Sequence, residues 1–182
     1  MWDRDWSDSY MSEDSLIHPH RQLILEAVSQ YEPIESVYEV GCGAGVNLKL
    51  LTSKYPEAKI YGYDISLDAV KKAIAFVGSR TVRITNDVRI FTADIVLNDA
   101  TAIYVSGKNI KSFIEMLKSY TQKAIVMCEW HSEEGPFIHD GHWVHNYKEL
   151  LPGCKAEKIP PEAWPESKNW QEFGHIITYE TS

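Results

Sequence analysis

The stretch Ser36-Val37-Tyr38-Glu39-Val40-Gly41-Cys42-Gly43-Ala44-Gly45 most constrains what this chain can fold into. SVYEV has the length and β-formers of a short buried strand. Three alternating glycines follow at once, and then a helical side of Val46, Leu50 and Leu51. A strand that turns on glycines into a helix brings backbone close to a ligand and opens positive φ. The dinucleotide fingerprint places glycines first, third and sixth. Here they stand first, third and fifth, and Val46 is sixth. No Gly-Lys-Ser/Thr follows, so the loop is not a P-loop. Asp64 lies 19 residues beyond Gly45, at the end of the next strand, 59–65. A carboxylate there accepts both ribose hydroxyls of a nucleoside.

The alternation extends on both sides of this motif. Leu23, Ile24, Ala27, Val28 and Tyr31 form a helical stripe that Pro33 ends. Ser66 suits a helix N-cap, Leu67, Val70, Ile74 and Val77 form the apolar side, and Gly78 stops the helix. Strands are expected at 81–85, 92–97 and 124–130, with a helix at 107–120. Beyond residue 130 the pattern changes. Residues 131–147 are rich in His and Gly, 148–151 read as helix, and 155–159 and 174–180 read as antiparallel strands. Pro160, Pro161 and Pro165 suggest an extended edge segment. The fold class is therefore α/β: a doubly wound, mostly parallel seven-stranded sheet, helices on both faces, and an antiparallel C-terminal strand pair. A single domain of 1–182 divides into a flap at 1–15, a cofactor-binding core at 16–130 and a substrate-side part at 131–182. Trp2, Trp6 and Tyr10 recur every four residues on the flap. In such sheets ligands bind beyond the carboxyl ends of the strands, where strand order switches.

Charge narrows the partners. The 182 residues carry 18 Lys plus Arg against 26 Asp plus Glu, a net charge of −8. That balance argues against a protein that holds nucleic acid through its phosphates. Cys42, Cys128 and Cys154 are odd in number and have no CxxC or zinc spacing, so they read as reduced thiols. No apolar run reaches the length of a membrane span, and the acidic N-terminus lacks the basic and apolar regions of a signal peptide. A cytoplasmic protein without a membrane partner is expected, as monomer or homodimer.

EVGCGAG followed by YGYDIS resembles the class I, Rossmann-like methyltransferases that use S-adenosyl-L-methionine, over roughly residues 16–130. The pattern is that of the small-molecule type, surface-sugar methylases among them. The resemblance implies that Glu39, Gly41, Cys42, Gly43 and Gly45 carry the methionine and ribose part of the cofactor. Asp64 and Ile65 would serve the ribose end. Asp87 would meet the adenine amine, with Val88 beside the ring, and Asn98-Asp99-Ala100 would pass near the methionine moiety and the substrate. Asp94 is the other candidate for the adenine contact, if 88–91 is the third strand. The nucleic-acid amino-methylases of this fold carry an NPPY-like tetrapeptide where this chain has Asn98-Asp99-Ala100-Thr101, which again disfavours a nucleic-acid base as acceptor.

The expected function is methylation of a small-molecule acceptor, a sugar or another metabolite. The alternatives are another S-adenosylmethionine-using enzyme of this fold, a lyase or aminopropyl transferase, or a non-catalytic cofactor- or partner-binding module. His131 and Glu129 end the fifth strand beside the expected pocket, and with Asp99 they are the candidate catalytic groups. Tyr104, Trp130, His142 and Trp143 are candidates for the acceptor side. His20 and Arg21, on the first helix, are candidates for the cofactor carboxylate. The i, i+3, i+6 spacing of His139, His142 and His145 is poor for one helical face, and HExxH is absent, so no metal is expected.

Overall fold

The computed structural model describes residues 13–79, 82–87 and 91–181. Trp2, Trp6, Tyr10 and Val88 lie outside the described residues, as does most of the proposed flap.

Among the described residues two helices lead in, α1 (Glu13–Leu16) and α2 (Pro19–Ser29). The alternation then runs β1 (Ser36–Val40), α3 (Val46–Lys54), β2 (Lys59–Tyr63), α4 (Leu67–Val77), β3 (Val82–Thr85) and β4 (Ala93–Asp99). A 3-10 turn at Ala102–Tyr104 precedes α5 (Ile110–Tyr120) and β5 (Thr121–Trp130). The C-terminal part holds β6 (Phe137–His139), β7 (His142–Val144), α6 (Tyr147–Leu150), β8 (Lys155–Lys158), α7 (Lys168–Phe173) and β9 (Gly174–Glu180).

Seven strands make one sheet in the order β3-β2-β1-β4-β5-β9-β8. The β1–β2, β1–β4, β2–β3 and β4–β5 pairs are parallel, and β9 runs antiparallel to both β5 and β8. This is the expected fold class. Strand order switches between β1 and β4, so the ends of these two strands and the loops behind them form the crevice.

Alternation within the strands divides the core between the two faces. Val37, Ile95, Leu97, Val126 and Trp130 point to the side covered by α2, α3 and α7 through Ile24, Val28, Leu48, Leu51 and Trp170. Tyr38, Val96, Ile125 and Met127 point to the other side, against Ile114 and Leu117 of α5 and Tyr147 of α6. Ser66 caps α4 by accepting from Ala69 N–H, and Gly78 follows the helix at φ +64°, as its sequence signals indicate.

Three stretches depart from expectation. β4 extends to Asp99, because parallel pairing with β5 continues through Asn98 and Asp99. Residues 137–144 form a small hairpin rather than an irregular loop. Its two-residue turn is Asp140-Gly141, both at positive φ, the combination a type I′ hairpin turn requires. The proline segment is not extended throughout: Pro161–Ala163 makes a 3-10 turn.

Candidate active site at the switch in strand order

The glycine loop leaves β1 with Gly41, Gly43 and Gly45 all at positive φ. Gly41 and Cys42 donate their N–H groups to Tyr63 O at 2.7 and 2.9 Å, which pins the loop to the end of β2. Asp64 follows immediately. Its Oδ2 accepts from Gly43 N–H at 2.9 Å and its Oδ1 from Ser66 N–H at 2.8 Å. An ionised carboxylate has about four acceptor sites, so two backbone bonds leave capacity for a pair of hydroxyls. Ile65 is 86% exposed beside it, a large apolar side chain at the mouth of the crevice.

Behind the loop lies a buried polar cluster. Glu39 of β1, Asn47 of α3, Asp99 of β4 and His20 and Arg21 of α2 are all buried. Arg21 Nη1 donates to Asn47 Oδ1 at 2.6 Å and to Asp99 Oδ2 at 3.2 Å, and Arg21 Nε donates to Ser15 O at 2.9 Å. Asn47 Nδ2 donates to Glu39 Oε1 at 2.8 Å and to Asp99 Oδ2 at 3.0 Å. Burial alone raises a carboxyl, and it pushes Glu39 up to about 8 against the Asn47 bond. At Asp99 the same burial is outweighed by His20, Arg21 and Asn47, which hold the carboxyl at about 2. Glu39 Oε2 and Asp99 Oδ1 are buried with no hydrogen-bond partner. With Glu39 raised and therefore protonated at neutral pH, the unpartnered Oδ1 of ionised Asp99 is the acceptor that suits a cationic donor such as an ammonium group.

The other cofactor-side candidates separate clearly. Asp87 stands in the turn after β3, at the carboxyl end of the sheet, its N–H donated to Thr85 Oγ1 at 3.0 Å. Asp94 heads β4 at the opposite edge. It accepts from Glu35 N–H at 2.7 Å and from Lys123 Nζ at 3.0 Å, so it is out of reach of the crevice. Asn98 is fully buried; its Nδ2 donates to Val40 O at 2.7 Å, tying β4 to β1 at the switch, while its Oδ1 has no hydrogen-bond partner.

The acceptor-side candidates divide between scaffold and surface. Glu129 is fully buried, and its carboxylate accepts from Thr101, Ala102 and Ile103 N–H at 2.8, 2.9 and 3.2 Å. It caps the 3-10 turn after β4, with neither oxygen left over. Burial pushes it up to about 8 against these three donors. His131 is buried with its ring turned toward Tyr147 and His175; its Nδ1 lies 3.2 Å from Tyr147 N and 3.1 Å from His145 O. The oxygens of Glu129 are taken up by the peptide groups of 101–103, and Nδ1 of His131 by those of 145 and 147. Trp130 is buried among Trp170, Phe173 and His142. Tyr104 is 64% exposed and meets His142 edge-on at 5.1 Å, while Trp143 stacks on His145 at 6.1 Å. His139 and His142 pair across the hairpin and His145 is buried. No group of three metal-ligating side chains occurs among the described residues.

Asn47, His18 and Glu166 escape sequence reasoning, because an Asn in a helix, an exposed-looking His and a surface Glu carry no motif. His18 Nε2 lies 2.8 Å from Glu166 Oε1, joining the turn before α2 to the C-terminal part. Trp164 stacks between His20, 4.1 Å away, and Trp170, 4.0 Å away.

No family model matches the chain. A trans-aconitate 2-methyltransferase of Afipia carboxidovorans is 35% identical over 71 residues, 38% of this chain and 27% of the relative. One from Pseudomonas aeruginosa is 35% identical over 52 residues, 28% of this chain and 19% of the relative. The chain thus spans about a quarter of the length of the curated relatives it matches. Among solved structures, the magnesium protoporphyrin IX methyltransferase of Synechocystis with bound S-adenosylhomocysteine superposes with a TM-score of 0.68 at 16% identity, covering 90% of this chain and 84% of that one. A S-adenosylmethionine-dependent methyltransferase of Aquifex aeolicus gives 0.71 at 16% identity, covering 100% of both chains. No helix among the described residues is long and apolar enough to cross a membrane. The chain has the class I, Rossmann-like fold of the S-adenosylmethionine-dependent methyltransferases.

Proposed function

We propose that this protein is an S-adenosylmethionine-dependent methyltransferase acting on a small-molecule acceptor. The observation that carries this reading is the position of Asp64, bound to the glycine loop at Gly43 N–H and still able to accept hydroxyl hydrogens. The residues present fit the cofactor. Asp64 would take the ribose hydroxyls, Ile65 would lie against the base, and Asp87 would meet the base amine. The unpartnered Oδ1 of Asp99 would receive the ammonium of the methionine moiety, with the backbone of Gly41–Gly45 alongside it.

When bound, the cofactor supplies an electrophilic methyl group on a sulfonium. The chain's own work is to align an acceptor with that group and exclude water, and proximity and orientation contribute up to ~7–11 kcal/mol. We assign Tyr104, His142 and Trp143 to the acceptor side. Trp130 supports them from below. Glu129 and His131 hold the loop and hairpin that carry these side chains, and Asp99 organises the cationic end of the crevice. Cytoplasmic location and the absence of a nucleic-acid partner belong to this proposal, the second supported by the net charge of −8.

The test is product analysis with S-adenosylmethionine and a panel of small acceptors, beginning with unsaturated tricarboxylates because the matching relatives are trans-aconitate methyltransferases. S-adenosylhomocysteine and a methylated acceptor are expected in equal amounts. Methylthioadenosine as the product would assign the chain to transfer of the cofactor's carboxyl-bearing aminopropyl chain or to lyase chemistry instead, and aminopropyl transfer itself would show the same product from the decarboxylated cofactor. No cofactor-derived product with any acceptor would support a binding module.

A further inference from the structure

His18 sits at the entry to α2 and His20 in its first turn. Their rings meet nitrogen to nitrogen, Nδ1 to Nδ1, at 2.5 Å. Each outer nitrogen faces a carboxylate. His18 Nε2 is 2.8 Å from Glu166 Oε1, and His20 Nε2 is 3.4 Å from Asp99 Oδ2. Four groups therefore stand in series: Glu166, His18, His20 and Asp99.

The hydrogens in this series can be counted. An ionised carboxylate only accepts. Asp99 is held at about 2. At Glu166 burial raises the carboxyl, but the His18 hydrogen bond outweighs it and the group lies below its ordinary value. Both are ionised at neutral pH, so both Nε2 atoms carry hydrogen. A neutral imidazole has one N–H and one lone pair. Two neutral rings with hydrogen on Nε2 would set lone pair against lone pair where the two Nδ1 atoms meet. One additional proton between them satisfies every contact.

We propose that His18 and His20 are a proton-bound pair with one positive charge between them, and that this proton latches the entry of α2 to the segment around Trp164 and Glu166. The charge is shared along the pair, between Asp99 on its buried side and Glu166 on its partly exposed side. The other groups facing the pair are Arg21 and Asn47, both bound to Asp99, and Glu39 behind Asn47. When the proton leaves to solvent, one ring must move its hydrogen to Nδ1 and give up a carboxylate. Glu166, the exposed one, is released, and the segment loses its tie to α2.

The pair does not depend on any methylation reaction, so it is tested on the protein alone. Long-range proton–nitrogen spectra of protein with ¹⁵N-labelled histidine, taken across the neutral range, read each ring nitrogen. The expected result is a single step that releases one proton from His18 and His20 together, with both Nε2 atoms protonated below it. Glu166→Gln should move the step to lower pH, because a negative charge that favours the proton is gone. Protection factors of the amides in 161–167, which divide out the intrinsic rise of exchange with pH, should fall at least about tenfold above the step, the loss of one charge-assisted bond. His18→Gln, at a partly exposed site, should show the lowered protection at every pH while keeping its circular-dichroism melt. Two independent steps, two neutral rings throughout, or unchanged protection in His18→Gln would overturn the proposal.

Discussion

Glu39 and Asp99 share one hydrogen-bond donor, the side-chain amide nitrogen of Asn47, which reaches Glu39 Oε1 at 2.8 Å and Asp99 Oδ2 at 3.0 Å. The two acids are both buried, yet their surroundings drive them apart. Asp99 also receives Arg21 and His20 and stays ionised, held at about 2, whereas Glu39 has only the shared amide and is pushed up to about 8.

This difference fixes the sign of a pH effect. Glu39 has its ordinary value of 4.5 in the unfolded chain and about 8 in the folded one. Between those values the native state binds the extra proton, so stability falls as pH rises through the window, by up to ~1.4 kcal/mol per pH unit. Asp99 acts oppositely: its contribution is present above 3.8 and is lost as pH falls through about 2. Glu39→Gln keeps an acceptor for Asn47 and removes the ionisation. Urea unfolding of this variant should show a flatter pH dependence over the Glu39 window and higher stability than wild type at its upper end. Parallel curves for the two proteins would contradict the assignment.

Glu129 accepts three backbone N–H groups, and a glutamine can satisfy only some of them. Above pH ~8, where Glu129 is ionised, Glu129→Gln places an amide nitrogen where a donor already points, at a cost of about 1–3 kcal/mol. At roughly 2–4 °C per kcal/mol for a chain of this size, the melting temperature should drop by several degrees. A melt equal to that of wild type would mean that the carboxylate does not hold the turn at Ala102–Tyr104.

Two glycines separate backbone strain from crowding. Gly78 ends α4 at φ +64°, and an added Cβ would meet only Ala75 O, at 4.0 Å. Gly45 begins α3 at φ +84°, and its Cβ would lie 3.0 Å from both Ala73 Cβ and Val77 Cγ2. Gly78→Ala should cost about 1–2 kcal/mol, the left-handed penalty alone. Gly45→Ala should cost more by a further ~1–3 kcal/mol of overpacking. Equal losses in thermal unfolding would show that α4 gives way to the methyl group.

The strand and helix alternation, the parallel sheet and the glycine–Asp64 unit are legible in the sequence because each rests on local periodicity or on a residue with one dominant conformational use. Ser66 and Gly78 act where their chemistry places them. The direction of the side chains at the end of β5 is not legible. Glu129 and His131 lie at the right end of the right strand, but their rotamers are set by peptide groups at 101–103 and 145–147, distant in sequence. The hairpin at 137–144 carried a local signal in Asp140-Gly141, obscured by the histidines around it. The cluster of Arg21, Asn47 and Asp99 draws on three elements that only the completed sheet brings together, and His18 with Glu166 joins residues 148 apart.

The central claim is that Asp64 and the glycine loop bind S-adenosylmethionine. Isothermal calorimetry with S-adenosylhomocysteine tests it without knowledge of the acceptor. Wild type should bind with one site per chain. Asp64→Ala, which removes the charged acceptor for the ribose hydroxyls, should weaken binding by roughly tenfold to a hundredfold, the equivalent of about 1.5–3 kcal/mol. Asp64→Asn, which keeps one oxygen, should fall between the two. Absence of binding by the wild type, or equal affinity in wild type and Asp64→Ala, would contradict the account.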